Sequence, residues 1–425
     1  MELKYFTKAT RSIDAAAQHA AQSPLKKHKR RFKTILILFS LLIACAAVGL
    51  WQVWELPVLS PLTTETTFRF LSGKLPDKKR VVYAYLPYWN LDNISQPPKE
   101  ITHLAYFSLT IGPDGFIVTR GGEGDAEPGY NKLSSEKLAE LAAAMEQQGG
   151  KTEIVLAQFN NDSIVSLLTT ETARENLLTS LDSILLAVPI NGINIDIEYT
   201  GEVTPQIRAN LTKLVTAINQ HLDAKYNHVQ LSIAMYASAA EENQFWEVAA
   251  IGEQVDYIVI MAYDFHRRGS IQAGPVAPLY GANELWDGDI NHYLKNFVAV
   301  VPRSKLLLGV PFYGYGWQTT NRDSQSTTYP DTGFTATYKY VQDLLARRKE
   351  LQLKEQWEDT ALSPFVTYIE DGETYVVHYE DPRSLRYKLE YVRQLDLAGI
   401  AIWALGYEGD NGDGSELWQV VAENM

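Results

Sequence analysis

One cysteine, Cys45, stands among 425 residues, so no disulfide can close within the chain. Its plain reading is a small apolar side chain. Basic charge is scarce outside one place. Residues 1–33 hold nine Lys or Arg against two acids, a net of +7, and the formal −13 of the whole chain leaves −20 on the remainder. A body that acidic argues against nucleic acid as a partner and against an anionic polymer held by charge alone. It suits a neutral or weakly charged substrate. No repeat at solenoid periods is present, which sets aside stacked-repeat architectures. What remains is a chain with 46% hydrophobic and 11% aromatic residues, globular and long enough for one large domain or two ordinary ones.

Charge is absent from residues 34–54, a run long enough for a helix to cross a hydrocarbon core of ~30 Å. The cluster Lys26-Lys27-His28-Lys29-Arg30-Arg31 precedes it, and Trp51 and Trp54 mark its far end. This pattern predicts a single transmembrane anchor contacting the lipid bilayer, with 1–33 a basic cytoplasmic tail and the acidic body outside the cytoplasm. Two alternatives stand beside it. A cleaved secretory signal lacks a clear small-x-small site before Trp51, and Leu42-Ile43-Ala44-Cys45 resembles a lipoprotein box behind a long leader. Residues 55–79, with Pro57, Pro61, Pro76 and the polar run 63–67, read as a linker.

From 80 to 425 short apolar runs alternate with amphipathic stretches. Strands are expected near 81–86, 102–109, 153–159, 192–198, 229–235, 256–263, 306–312 and 399–404, and helices near 134–148, 170–187, 205–222, 241–250, 290–300 and 384–394. Eight βα units predict an α/β fold, a (β/α)₈ TIM barrel. A small insertion is expected at about 318–398, between strands seven and eight. It contains a hairpin of 365–370 and 374–379 turning at Asp371-Gly372.

The most informative stretch is Asn191-Gly192-Ile193-Asn194-Ile195-Asp196-Ile197-Glu198. Strict alternation puts Asn194, Asp196 and Glu198 on one face of a strand and three isoleucines on the other. Two carboxylates then share one small, covered volume, and their repulsion and burial keep a proton on one of them. On a half-exposed strand the same pattern would be a solvated face, so the other strand ends decide. Tyr263 and Asp264 end one apolar run; Tyr313-Gly314-Tyr315-Gly316-Trp317 follows another; Trp403 ends the last, as a flat floor for a sugar ring would require. Each aromatic alone could be core packing; together they mark the catalytic end of a barrel.

These motifs, in this order, resemble the family 18 glycoside hydrolases, the chitinase-like (β/α)₈ enzymes, over about Val81 to Glu423. Of the family pattern Asp-Gly-x-Asp-x-Asp-x-Glu the last two acids are present, while Asn191 and Asn194 replace the first two. Asn at the second of these positions, Asn194, together with the Tyr-Gly-Tyr-x-Trp block is similar to the bacterial cell-wall and spore-cortex N-acetylglucosaminidase branch. The stretch 156–161 lacks the Ser-x-Gly-Gly of chitinases proper. By position the resemblance implies Glu198 as general acid and Asp196 as the residue that orients the substrate's own 2-acetamido group. It also implies Tyr263 as a donor to the acetamido oxygen and Trp403 as the floor of the subsite, with Asp264 against the sugar or bracing Tyr263. Asn194 is expected to donate a hydrogen bond to Asp196. Tyr88, Trp89, Trp317 and His266 are candidate sugar contacts around the mouth. The resemblance calls for no metal and no cofactor.

The expected function is retaining, substrate-assisted hydrolysis of an N-acetylglucosamine-containing polysaccharide, most simply peptidoglycan. A chitin or chitooligosaccharide hydrolase, an endoglycosidase on a glycoprotein chitobiose core, and a lectin-like glycan binder are the alternatives. Because an amide cannot take a proton, Asn194→Asp is expected to shift the pH–rate profile without abolishing activity. An inactive, well-folded variant would count against the arrangement.

Overall fold

The alternation in 192–197 is realised as a strand wholly buried on both faces, with Ile193, Ile195 and Ile197 turned under helices and Asn194 and Asp196 turned inward. The computed structural model describes residues 79–121, 124–226, 228–409 and 416–425. Seven parallel strands come first: β1 (Val81–Pro87), β2 (His103–Thr110), β3 (Lys151–Gln158), β4 (Gly192–Ile197), β5 (Gln230–Tyr236), β6 (Tyr257–Met261) and β7 (Leu306–Pro311). An insertion carries β8 (Tyr313–Gln318), β9 (Phe334–Thr337), β10 (Lys354–Glu358), β11 (Ser363–Glu370) and β12 (Glu373–His378). The strand β13 (Gly399–Trp403) then enters between β7 and β1 and closes an eight-stranded barrel. This is the TIM-type architecture expected. Its interior is packed by inward residues of alternate register, among them Tyr83, Tyr85, Ala105, Phe107, Val155, Ala234, Val259, Leu307 and Ala401.

Helices cover the outside where 3.6-residue periodicity placed them. Glu136–Gln147, Glu171–Ala187, Pro205–Lys225, Ile290–Val300 and Pro382–Gln394 lie within a few residues of expectation. Caps fix their starts: Asp289 Oδ1 accepts from His292 N at 2.6 Å, and Asp381 and Ser384 form a reciprocal capping box. One helix differs. Residues 241–247 are not helical, and the helix there is Val248–Gln254. Asn243 adopts a left-handed φ of 61°, and Phe245 and Trp246 are buried against Tyr199 and Tyr236, which ties the segment down over the barrel end instead.

The insertion is larger than expected. It starts at Tyr313, not at 318, and forms a five-stranded antiparallel sheet in the order β10-β11-β12-β8-β9 with the helix Tyr338–Ala346. Its core holds Ala336, Val341, Leu344, Leu351, Val366, Tyr368 and Val377. The hairpin at Asp371-Gly372 is present, with both residues at positive φ (52° and 85°) as a primed turn requires. The strand β10 reads Lys-Glu-Gln-Trp-Glu and is mostly exposed, so no apolar alternation announced it. The block 313–317, expected at the end of the seventh barrel strand, is the first strand of this sheet.

The tail 1–33, the apolar run 34–54 and the linker as far as residue 78 lie outside the described residues. Among the described residues no helix is long and apolar enough to cross a membrane.

The insertion returns to the barrel through a buried ion pair. Lys388 Nζ donates to Glu380 Oε1 and Oε2 at 2.9 and 2.7 Å, with both side chains shut off from solvent. Lys388→Met is expected to destabilise the protein by about 3–5 kcal/mol, because it strands a buried carboxyl, whereas Glu380→Gln/Lys388→Met recovers most of the loss. Denaturant unfolding of the two variants checks this.

Candidate active site

The carboxyl ends of the barrel strands open onto a cavity of about 350 Å³, within the roughly 300–1,000 Å³ of small-molecule sites. Inward positions at three strand ends make its floor. Trp403 stands edge-on to Phe107, with centroids 4.7 Å apart, and tilted against Tyr85 at 5.6 Å. The result is an aromatic floor in which the Trp403 ring is braced by the two others. Asp196, Glu198, Tyr236, Tyr263, Asp264, Tyr313, Tyr315 and Arg267 supply the polar lining.

Asp196 is 4% exposed, and its Oδ1 has no hydrogen-bond partner among the described residues. Burial raises its pKa well above the usual carboxylate range, and the Glu198 charge raises it further. Glu198 extends the ladder past β4, its N–H donating to Gln158 O at 3.1 Å, which keeps it on the face of Asp196. Its pKa is also raised, first by burial; a Tyr236 hydrogen bond and the Arg267 charge pull it back, and Asp264 pushes it up. The two carboxyls titrate as a pair and hold a proton to higher pH than a free carboxyl would. Burial and the charges of Asp196, Asp264 and Glu198 raise Tyr263, which stays a neutral hydroxyl donor.

Asp264 sits at a left-handed φ of 62° just beyond β6. The hydroxyls of Tyr313 and Tyr315, both from the insertion, donate to its Oδ1, the latter at 3.0 Å. Arg267 Nε donates to its carbonyl at 3.1 Å. Barrel and insertion therefore meet at this carboxylate.

Beneath the cavity runs a chain of donors that sequence reasoning did not find. Tyr85 OH donates to Asn194 Oδ1 (3.5 Å), Asn194 Nδ2 to Ser232 Oγ (2.7 Å), and Ser232 Oγ to Glu153 Oε2 (2.7 Å). Tyr83 OH donates to the same Glu153 oxygen at 2.8 Å. Asn194 is wholly buried in this chain, so it does not touch a ligand, and its amide donates to Ser232 rather than to Asp196. That corrects the expected Asn194–Asp196 bond and the place of Asn194 among substrate contacts. The reason is depth: Asn194 pairs in register with Val155 and Ser232, one layer below Asp196.

Asp196, Glu198, Tyr263, Asp264 and Trp403 line one cavity. Trp317 does not. It is fully buried, and its indole N–H donates to Arg267 O and Arg268 O at 3.2 and 3.1 Å, so it packs behind the rim instead of facing it. His266 points away too, its Nδ1 against Pro275 O at 2.9 Å. Tyr88 and Trp89 form the start of a 3₁₀ turn. Trp89 is 44% exposed and edge-on to Phe107 at 6.1 Å, beside the cavity but outside its lining; Tyr88 stacks edge-on against Trp89. Tyr85, Phe107, Phe159, Tyr236, Arg267 and Tyr407 were missed. The strand-end rule that found Trp403 finds Tyr236 as well, since it is the last residue of β5; nothing in the sequence singles out Arg267. Among the described residues no three His, Cys, Asp or Glu side chains are grouped to hold a metal.

Residues 81–408 match the family model described as glycosyl hydrolases family 18. YdhD of Bacillus subtilis (strain 168), assigned as a sporulation-specific glycosylase, is 29% identical over 258 residues, 60% of this chain and 56% of that protein, so this chain spans little more than half of it. The cortical fragment-lytic enzyme of the same organism is 24% identical over 329 residues, 74% of this chain and 68% of that protein. The GH18 chitinase of Cycas revoluta in complex with (GlcNAc)3 shares the fold, with a TM-score of 0.66 at 19% identity over 81% of this chain and 99% of that one.

Burial raises Glu153 to about 7. The folded state therefore binds this proton more tightly than the unfolded chain, and the group's contribution to stability falls as pH climbs from the ordinary glutamate value through about 7. Glu153→Gln is expected to flatten that fall by up to roughly 1.4 kcal/mol per pH unit. Urea midpoints across this window measure it.

Proposed function

The chain belongs to glycosyl hydrolase family 18 and is a glycoside hydrolase, and from that premise we propose that it cleaves β-1,4-linked N-acetylglucosamine in peptidoglycan by a retaining, substrate-assisted route. The observation that carries this reading is the buried Asp196 Oδ1, without a partner among the described residues, beside the Glu198 carboxyl in one cavity. An acceptor shut off from water and left empty fits the N–H of a 2-acetamido group lying over the aromatic floor.

In this mechanism Glu198 gives its proton to the glycosidic oxygen as the bond to the anomeric carbon breaks. The acetamido oxygen, aligned by Asp196 and by a hydrogen bond from Tyr263, attacks the anomeric carbon, and the positive charge is spread over an oxazolinium-like ring. Water, deprotonated by Glu198, then opens that ring with the configuration retained. Trp403 lies under the reacting sugar, and Asp264 holds the tyrosines that line its far side. A raised Glu198 pKa suits the first step: the acid stays protonated to higher pH, and the alkaline limb of the pH–rate profile falls as Glu198 ionises.

Support for peptidoglycan comes from the cortical fragment-lytic relative, and the replacement of two acids by Asn191 and Asn194 points the same way. Chitin oligosaccharides are the second reading, favoured by the chitinase that shares the fold. We further propose that residues 34–54 anchor the chain in a membrane with residues 1–33 cytoplasmic, which puts the hydrolase on the side where a wall polymer lies.

Mass spectrometry of purified peptidoglycan and chitin oligosaccharides after incubation with the protein tests the substrate. New N-acetylglucosamine reducing ends from peptidoglycan are expected, falling about a hundredfold or more in rate with Glu198→Gln. Cleavage of chitin oligosaccharides alone would move the function to chitin; retained binding with no cleavage of either would make the domain a lectin.

A further inference from the structure

Arg267 is the one base among the described residues lining the cavity, which otherwise presents three carboxyls, tyrosine hydroxyls and apolar rings. Its side chain is exposed, and Nε is spent on the Asp264 carbonyl at 3.1 Å. That bond fixes the base of the guanidinium and leaves its two terminal nitrogens for another partner. The backbone is fixed as well: Trp317 donates to Arg267 O, and Ser270 Oγ accepts from Arg267 N at 2.9 Å. Among the described residues no carboxylate lies within ion-pair distance of it. A planar fork held by its stem, with no carboxylate at its tip, is a receptor for one.

Its place says which sugar would carry that group. Arg267 lines the cavity together with Glu198, Tyr236 and Tyr315. A sugar seated on the floor of Tyr85, Phe107 and Trp403 presents its glycosidic oxygen to Glu198, and the leaving sugar lies beyond that acid. Arg267 lines the same cavity, tied at its stem to Asp264. Chitin has no anion there. The wall glycan has one when its 3-O-lactyl ether is free, and none when a stem peptide occupies that carboxyl as an amide.

We propose that Arg267 binds the free lactyl carboxylate of the leaving amino sugar, so that the preferred substrate is a wall strand already stripped of its stem peptides. This rests on the glycan assignment of the site given above and adds to it the charge of the substrate. It also orders the reactions: an amide hydrolysis that frees the lactyl carboxyl comes first. The acidic body, at −20, does not oppose this, because a carboxylate paired at contact distance is held locally while the distant charges are screened.

Binding is measured in the full chain carrying Glu198→Gln, so that the readout does not depend on turnover. The ligands are peptide-free wall-strand fragments and the same fragments with their lactyl carboxyls converted to methylamides. Each is titrated with and without Arg267→Gln. With Arg267 present, conversion to the methylamide is expected to weaken binding about fivefold or more; with Arg267→Gln the two ligands are expected to bind alike. Equal weakening in both proteins, or none in either, overturns the proposal. Failure of the hydrolase reading shows separately, as intact glycans after incubation with the unmutated protein, while the methylamide comparison still reports on Arg267.

Discussion

The site depends on a carboxylate oxygen that is buried with nothing to accept. Every neighbour that could have satisfied Asp196 from below is already spent: Asn194 donates to Ser232, Ser232 to Glu153, and Tyr85 to Asn194. The chain of donors runs inward, away from the cavity, and ends on a carboxyl deep in the barrel. Had the amide of Asn194 pointed outward, Asp196 would be a satisfied structural acid. As built, Asp196 Oδ1 has no partner among the described residues, and burial and the Glu198 charge both raise the pKa of the carboxyl. The barrel bears the cost of a buried polar atom left unpaired at the cavity.

A second constraint joins two pieces of the fold. Asp264 leaves β6 in a left-handed turn and takes hydroxyls from Tyr313 and Tyr315, which belong to the first strand of the inserted sheet. The cavity wall is therefore made by two hydrophobic cores, each of which fixes one partner of the same contact. The buried Glu380–Lys388 pair closes the other end of the insertion against the barrel.

Much of this was legible in the residues. Period-two alternation in 192–197 and apolar runs of five to eight residues announced the barrel strands, because parallel strands buried on both faces leave a strong signal. Asp196, Glu198, Tyr263, Asp264 and Trp403 were found because barrel chemistry collects at strand ends. Depth was not legible. Alternation tells which face a side chain is on but not which layer, so Asn194 was placed in the cavity when it lies beneath it, and Glu153 went unnoticed on β3. The inserted sheet escaped because β10 is charged and exposed, and β9 has only four residues. Trp317 misled for the opposite reason: an aromatic beside glycines has the same signature on a cavity floor as in a core.

That buried tryptophan has a consequence for how such a chain can change over time. Its indole binds the carbonyls of two successive arginines fifty residues upstream, and so the loop that faces the ligand takes its shape from a sheet encoded far downstream. The two segments act as one device. A recombination that swapped the loop alone would carry its side chains into a frame that no longer holds them, and one that swapped the sheet alone would release a loop whose side chains were unaltered. A change that is to keep this loop in shape therefore calls for a matching change in the sheet, or for exchange of both together.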